Sequence, residues 1–443
     1  MMHPKKTFLT DFFENLNLGE IKYCVLRNYQ SLPFSCDGSD LDILINKKDS
    51  SVFFNLIKEI ADNHNGKIIS IIDSSICPRL CVLGNKEGGW GIMIDLHYDL
   101  ISYRGYTIFS NKNVWSNTFK YNGQIAALNK IADGLVGLFK ELLNNGSCDE
   151  KYFNDFKNSS IDKVFLNEVF QDIQKPELIP ILLDIKNQSY SKNEIKRLVK
   201  VLNRYFPRKR KESLKKYSKF SRLFKQPGFA IAFLGTDGSG KSTIIEKIKP
   251  ALNDAFHNAV YYEHMRPNKL PSIARLMGNK EEFNGPVSNP HGSSSSGFFG
   301  SLLRWSYYML DYTFGFYLKI WPKKAIRSCV WIFDRYYYDY LIDPKRGRIK
   351  LPRWILKVGQ FIVPQPDLIL CLGADATVIH KRKPELPLKE VERQVLELRT
   401  FCDSHKNAVW IDTGKSIDES SNDTLETIIV MMAQRFESFK LQK

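Results

Sequence analysis

The sequence predicts an α/β protein, with a C-terminal half built as a parallel sheet flanked by helices and an α+β N-terminal half that carries a helical cap. Three observations predict it. Phe229–Leu234 is a short apolar run that opens directly into a glycine-rich loop and then a helical pattern, the order in which parallel strands feed their crossover helices. Two further apolar runs, Cys329–Asp334 and Asp367–Gly373, follow in the same half at distances that leave room for helices between them. In the N-terminal half, strand-like runs come first, and a Lys-rich stretch with helical spacing at Ile195, Leu198, Val199 and Leu202 follows between residues 145 and 205.

The chain has 443 residues, 43% of them hydrophobic and 25% charged, which excludes a disordered tail, a collagen and a small disulfide scaffold. Its 64 Lys and Arg against 48 Asp and Glu leave a net charge of +16, which calls for an anionic partner. Eight scattered cysteines, with one Cys77-x3-Cys81 pair, read as reduced thiols. No apolar run of export-signal length precedes Asp11 and Glu14, so the expected location is cytoplasmic.

In chain order, Tyr23–Tyr29 and then Leu32-Pro33 lead into the apolar strand Gly38-Ser-Asp40-Leu-Asp42-Ile-Leu-Ile45. Asp40 and Asp42, two residues apart on an extended run, share a face. Trp90–His97 is a second apolar strand with Asp95 in its interior. Three carboxylates on neighbouring strands are a usual way to hold one or two Mg²⁺ ions for nucleotidyl transfer. The alternative is a structural network in which Arg27, Arg79 or His97 neutralises them. The Gly-Ser-Asp-x-Asp strand, with Asp95 as third acid, resembles the nucleotidyltransferase superfamily that includes DNA polymerase beta, over about residues 15–140. Arg27-Asn28 stands where that superfamily has a Gly-Ser turn.

The sharpest change in composition is at residues 208–225, with nine basic residues against one acidic, so that this segment alone supplies +8 of the net charge. It divides the chain into a domain over 1–206, a basic linker over 207–226 and a domain over 227–443. The linker reads as a solvated basic helix, or as a segment that docks on an anionic membrane or on the protein's own domains. Phe298–Trp321 follows a serine run, Gly292–Gly297. It is apolar enough to suggest a membrane span but carries Arg304, Asp311 and Lys319 along its length, and a buried amphipathic helix is the expectation.

The loop Gly235-Thr-Asp-Gly238-Ser239-Gly240-Lys241-Ser242-Thr243 has the G-x4-G-K-S spacing between a strand and a helix. Glycines let backbone N–H groups curl around phosphate oxygens, Lys241 reaches the β and γ phosphates, and the Ser242 hydroxyl ligates Mg²⁺, so the cofactors implied are ATP and Mg²⁺. Asp334 ends a buried strand, where an acid holds the magnesium through water, and Arg335 follows it. After the third strand comes the basic, proline-broken stretch His380–Lys389, as expected of a lid over ATP phosphates.

Together the loop, the Asp334-Arg335-Tyr336 signature, the Pro366-Asp367 strand and the basic lid resemble the thymidylate kinase family of P-loop nucleoside monophosphate kinases, over about residues 228–436. The resemblance implies a Mg-ATP-dependent phosphotransferase. In it Asp237 would contact the acceptor's sugar hydroxyl, Arg335 its phosphate, and Lys241 with the lid cations the transferred group. Gly238 occupies the position where some members carry an arginine. The catalytic arginine is therefore expected from the lid, as Arg382 with Lys381 or Lys383. Where thymidylate kinases have an Arg-Glu-Pro-Gly-Gly-Thr-like segment, this chain has His264–Pro271, with Arg266-Pro267 expected to keep part of its role, and then an insert bearing Gly285-Pro, Asn289-Pro and the serine run. Arg266-Pro-x-x-Leu-Pro271 and Asp334–Arg346 look like thymidylate-kinase-like proteins of bacterial surface-polysaccharide gene clusters. That likeness implies a sugar, alditol or glycan-linked acceptor, with dTMP as the alternative. A nucleic-acid- or membrane-bound regulator switched by ATP is a further alternative, although no nucleic-acid motif accompanies the charge. A homodimer is one assembly the sequence leaves open, and the oligomeric state is not fixed by it.

Overall fold

The computed structural model describes residues 4–36, 38–72, 77–207, 226–271, 297–326 and 329–440. The expectations placed on the connector 208–225, membrane docking included, and on the insert 272–296 lie outside the described residues. By its internal contacts the chain forms two compact units, residues 1–82 with 92–220 and residues 83–91 with 221–443.

The first unit is built on strands β1 (Tyr23–Val25), β2 (Leu41–Ile45), β3 (Gly66–Ile72), β4 (Arg79–Gly84), β5 (Trp90–Tyr98), the small hairpin β6 (Ile101–Tyr103) and β7 (Tyr106–Phe109), β8 (Thr118–Tyr121) and β9 (Ile125–Leu128). All but the hairpin join one sheet in the order β3-β4-β5-β2-β1-β9-β8. β2 runs antiparallel to β1 and parallel to β5, with Asp42 directly opposite Asp95. β2 is buried throughout, and so is β5 from Trp90 to His97. They read as continuous apolar runs because both faces of the sheet are covered. Helices α1 (Pro4–Leu18) and α2 (Ser50–Asn63) bring Phe8, Phe12 and Phe53 together as one ring cluster.

After α3 (Asn111–Ser116) and α4 (Lys130–Lys140), the cap is four helices: α5 (Glu150–Asn158), α6 (Lys163–Asp172), α7 (Leu178–Lys186) and α8 (Lys192–Tyr205). Their apolar sides share one core with α4 and the hairpin. Ser191 caps α8 by accepting from Glu194 N at 3.2 Å, and Ile195, Leu198 and Leu202 form its buried stripe.

The second unit is a five-stranded sheet in the order β11-β12-β10-β13-β14, all pairs parallel: β10 (Phe229–Leu234), β11 (Val260–His264), β12 (Val330–Asp334), β13 (Leu368–Gly373) and β14 (Ala408–Asp412). Its helices are α9 (Lys241–Ala255), α10 (Phe298–Gly315), α11 (Trp321–Ile326), α12 (Asp339–Ile342), α13 (Arg353–Ile362), α14 (Ala376–Arg382), α15 (Leu388–Ser404) and α16 (Ile417–Lys440). A π turn over Phe316–Ile320 carries α10 into α11. β10 lies between β12 and β13, and the loop that leaves its C-terminal end sits where strand order reverses, the crevice in which open parallel sheets bind ligands.

The expected buried helix at Phe298–Trp321 needs correction. Asp311 and Tyr312 are fully buried, but Phe299, Leu303, Leu310, Phe314, Tyr317 and Leu318 are half-exposed or more. Among the described residues, only one side of the segment meets the core. Among the described residues no helix is long and apolar enough to cross a membrane.

Candidate functional site

The phosphate-type loop leaves β10 and enters α9 at Lys241. Gly238 and Gly240 hold φ of 84° and 83°, the left-handed region that side chains disfavour. A Cβ at Gly235 would lie 2.5 Å from the Leu372 carbonyl oxygen. A Cβ at Gly238 would lie 2.9 Å from the Ile379 carbonyl oxygen and 3.0 Å from Lys383 Cβ. The expected lid therefore packs on the loop where a larger side chain has no room. Lys241 folds back over this turn and donates to the Gly235 and Thr236 carbonyls at 2.8 and 2.9 Å. Burial, reinforced by the Arg335 guanidinium, pushes its ammonium down to about 7. The buried hydroxyls of Thr236 and Ser239 have no hydrogen-bond partner among the described residues.

Asp334 ends β12 beside this loop. Its Oδ2 accepts from Tyr262 Oη at 2.9 Å and Ser242 Oγ at 3.4 Å, while its buried Oδ1 has no hydrogen-bond partner among the described residues. A lone buried carboxylate oxygen next to a serine hydroxyl fits a water-held magnesium, with Ser242 as the direct ligand.

Arg335 sits at φ 72°, a conformation costly for a non-glycine residue, and its N–H donates to the Phe233 carbonyl at 2.9 Å. Its buried guanidinium donates to Asp339 Oδ2 and Asp237 Oδ1, each at 2.6 Å. Arg346 binds the other oxygen of Asp237. Burial alone would raise the Asp237 carboxyl, but Arg335 and Arg346 outweigh it and hold the group well below the usual carboxylate range.

These side chains line one open cavity of 320 Å³ that includes Lys241, Ser242, Thr243, His264, Asp334, Arg335, Arg346 and Lys383. Of the three expected lid cations, Lys383 lines the cavity, paired with Glu385 at 3.2 Å, whereas Lys381 and Arg382 are exposed at the end of α14 and do not line it. Arg266 is turned away from its expected role. It donates to the buried Asp311 at 2.9 Å and stacks over Tyr308 at 4.5 Å, and Asp311 also accepts from the Lys269 and Leu270 N–H groups. Arg346 carried no role in the sequence reading. Its only local signal was the charged Asp343-Pro-Lys-Arg346 turn after the Asp-Arg-Tyr strand.

In the first unit, ligand oxygens of Asp40, Asp42 and Asp95 lie within 4.8 Å of one another, close enough for one cation. Protein cations already face them. Arg27 binds Asp42 and, at 3.1 Å, Asp40, while Lys140 Nζ and His97 Nε2 stand 3.3 and 3.6 Å from Asp42. Arg79 Nε lies 3.2 Å from Asp95 Oδ1. Against the effect of burial, Arg27 and then His97 hold the Asp42 carboxyl below its usual range. Burial drives Asp95 the other way; Arg79 opposes the rise, and Asp42 and Asp40 add to it. Lys140, 98 residues from Asp42, was not among the expected partners.

No protein-family model and no curated protein matches the chain. Among solved structures it is similar to thymidylate kinase from Ehrlichia chaffeensis, at 14% identity and TM-score 0.32 over 45% of this chain and 96% of that one. It is also similar to thymidylate kinase from Candida albicans, at 18% identity and TM-score 0.33 over 47% of this chain and 93% of that one. The resemblance is distant and partial.

Proposed function

We propose that the second unit is a Mg-ATP-dependent phosphotransferase whose acceptor is itself a phosphomonoester. The observation that carries this reading is the convergence on one cavity of Lys241, Ser242 and Asp334 with the arginines Arg335 and Arg346. The loop N–H groups and Lys241 hold the polyphosphate, and Ser242 and Asp334 are placed to hold the metal, which would neutralise charge on the transferred group. Arg335 and Arg346 orient an anionic acceptor. A hydroxyl acceptor needs a general base. Asp237, ion-paired on both oxygens and held at low basicity, is poorly suited, and Asp334 is taken up by Tyr262, Ser242 and the metal position. A phosphate acceptor needs no base. The thymidylate-kinase motifs make dTMP the first acceptor to test, beside other nucleoside monophosphates and sugar phosphates.

The test is ATP binding and ADP release over that panel, with Lys241→Ala as control. Loss of a cation that clamps the transferred phosphoryl lowers turnover by roughly 10³-fold or more. Unchanged affinity and turnover in Lys241→Ala would end the proposal. Phosphorylation of unphosphorylated sugars with dTMP and sugar phosphates inert would reverse the acceptor assignment. Salt-sensitive binding to DNA with no turnover on any acceptor would favour an ATP-switched regulator.

For the first unit, a nucleotidyltransferase activity rests on one observation, the in-register pairing of Asp42 and Asp95 with Asp40 alongside. Asp42→Asn should then abolish Mg²⁺ binding at this cluster and pyrophosphate release while leaving Mg-dependent ADP release by the second unit intact. A wild-type chain that binds no Mg²⁺ at this cluster and releases no pyrophosphate from any nucleoside triphosphate would leave Arg27, Lys140 and Arg79 as purely structural counter-ions.

A further inference from the structure

The sheet of the second unit ends at β14, which pairs with β13 on one side and is open on the other. The Ile369 N–H donates to the Asn407 carbonyl at 2.8 Å and the Thr413 N–H to the Gly373 carbonyl at 2.9 Å, so the odd-numbered residues turn their backbone groups toward β13. Ala408, Trp410 and Asp412 turn theirs to the open edge. There the Ala408 N–H is taken up by the His405 carbonyl at 3.0 Å, and the Asp412 carbonyl accepts from the Ser420 hydroxyl at 3.0 Å. Among the described residues this leaves the Ala408 carbonyl, both backbone groups of Trp410 and the Asp412 N–H for a further strand.

A cavity of 570 Å³ lies between this edge and α16. Its strand wall is Val409 to Asp412, about 13 Å of extended chain. Its helix wall steps at helical spacing from Asp423 to Gln434, about 16 Å at 1.5 Å per residue. Trp410 packs its ring on the opposite face of the sheet, under Arg399 at 4.5 Å, so Val409 and Ile411 meet Val430 and Met431 in the groove. The end nearest Asp412 is acidic: Asp412, Asp423 and Glu426 face one cation, Lys415, which is itself paired with Asp423 at 2.8 Å. A groove walled by an open strand edge and a helix takes an extended chain, which pairs with the edge and sets alternate side chains between strand and helix. We propose that this groove binds an extended segment of a partner protein as a sixth strand on β14, with aliphatic side chains beside Val409 and Val430 and lysines or arginines beside Asp412, Asp423 and Glu426. The backbone of the edge supplies attachment, and the carboxylates select the charge and fix the register.

Fluorescein-labelled Val-Thr-Val-Thr-Lys-Thr-Lys and its reverse, Lys-Thr-Lys-Thr-Val-Thr-Val, are titrated with the full chain at about 0.15 M salt and read by fluorescence anisotropy. The order whose direction matches the groove is expected to bind at least about tenfold more tightly than the same order with glutamate in place of lysine. N-methylation separates the two edges of a bound strand. Methylating the threonines in one peptide and the remaining residues in another should weaken binding about tenfold for one set and leave it unchanged for the other, because only one set faces β14. Asp423→Lys with Glu426→Lys should weaken the lysine peptide about tenfold with unchanged circular dichroism. Absence of binding by either order up to about 100 µM chain, equal loss from both methylated sets, or a doubly lysine-substituted chain that binds as wild type would overturn the proposal. So would wild-type oligomers that these two substitutions dissociate, which would give the edge to a second copy of the chain.

Discussion

Lys241 presses a buried ammonium against two backbone carbonyls, so its charge is costly, and under the proposed function a bound polyphosphate would offset that cost. Its value of about 7 lies below the ordinary lysine range. Between the two, the folded chain binds fewer protons than the unfolded chain. The penalty is therefore fully present below pH 7 and is relieved as pH rises through the folded value toward the ordinary one. Under the proposed function a bound triphosphate would reverse the shift. At pH 8, ATP binding should take up close to one proton, seen as a calorimetric enthalpy that changes with the ionisation enthalpy of the buffer. Lys241→Met should remove that dependence, and a wild type without it would sink the account. In the first unit, Arg27→Ala strips Asp42 of its closest counter-ion at a buried position. Breaking such a pair costs roughly 3–5 kcal/mol. Urea unfolding should show a loss of that order, and a loss below about 1 kcal/mol would mean that Lys140 and His97 already suffice.

At the scale of elements, α10 determines the shape of the segment after β11. Asp311 receives Arg266 and two backbone N–H groups, Tyr312 Oη donates to the Met265 carbonyl at 2.8 Å, and Tyr307 Oη to the Pro271 carbonyl at 2.7 Å. A Cβ on Gly315 would stand 2.7 Å from Pro267, so the segment lies directly on the helix backbone. Replacing the buried charge leaves its donors poorly paired at about 1–3 kcal/mol for each strong bond lost. Asp311→Asn should thus lower stability by about 2–4 kcal/mol and speed amide exchange at Lys269 and Leu270 by at least about tenfold. Exchange that stays as slow as in wild type would show that the tyrosines alone hold the segment.

At the scale of the whole molecule, charge is unevenly placed. Half of the +16 lies in 18 consecutive residues, 208–225, and half is spread over the remaining sequence. Clustered charge binds anionic surfaces far more steeply than dispersed charge and is screened beyond about 10 Å at 0.1 M salt. The chain is expected to co-sediment with phosphatidylglycerol vesicles at low salt and to release as salt rises. Replacing the nine lysines and arginines of the segment by glutamine should abolish co-sedimentation. Retention by the neutralised chain would move the binding surface elsewhere.

The sequence alone determined what contiguous residues can encode. The phosphate-type loop was legible because a strand, six loop positions and a helix start follow one another from Phe229 to Thr243, and each glycine answers a local steric demand. Asp334 was legible as a carboxylate ending a buried run, and Asp42 and Asp95 as acids inside apolar strands, with Asp40 just before the first, where an unpaired charge demands a partner. Arg27, Arg79 and His97 were nameable from the sequence as partners of the N-terminal acids, whereas the remaining partners were decided only by tertiary structure. Arg346 reaches Asp237 across 109 residues, Lys140 reaches Asp42 across 98, and Asp311 takes Arg266 across 45. Such pairings follow from strand order and helix packing, since any of the 64 basic side chains satisfies the same charge requirement in the sequence. The exposed stripe on α10 escaped the sequence for a related reason. Hydrophobicity records that a helix can be buried, and the sheet and neighbouring helices decide which of its sides actually is.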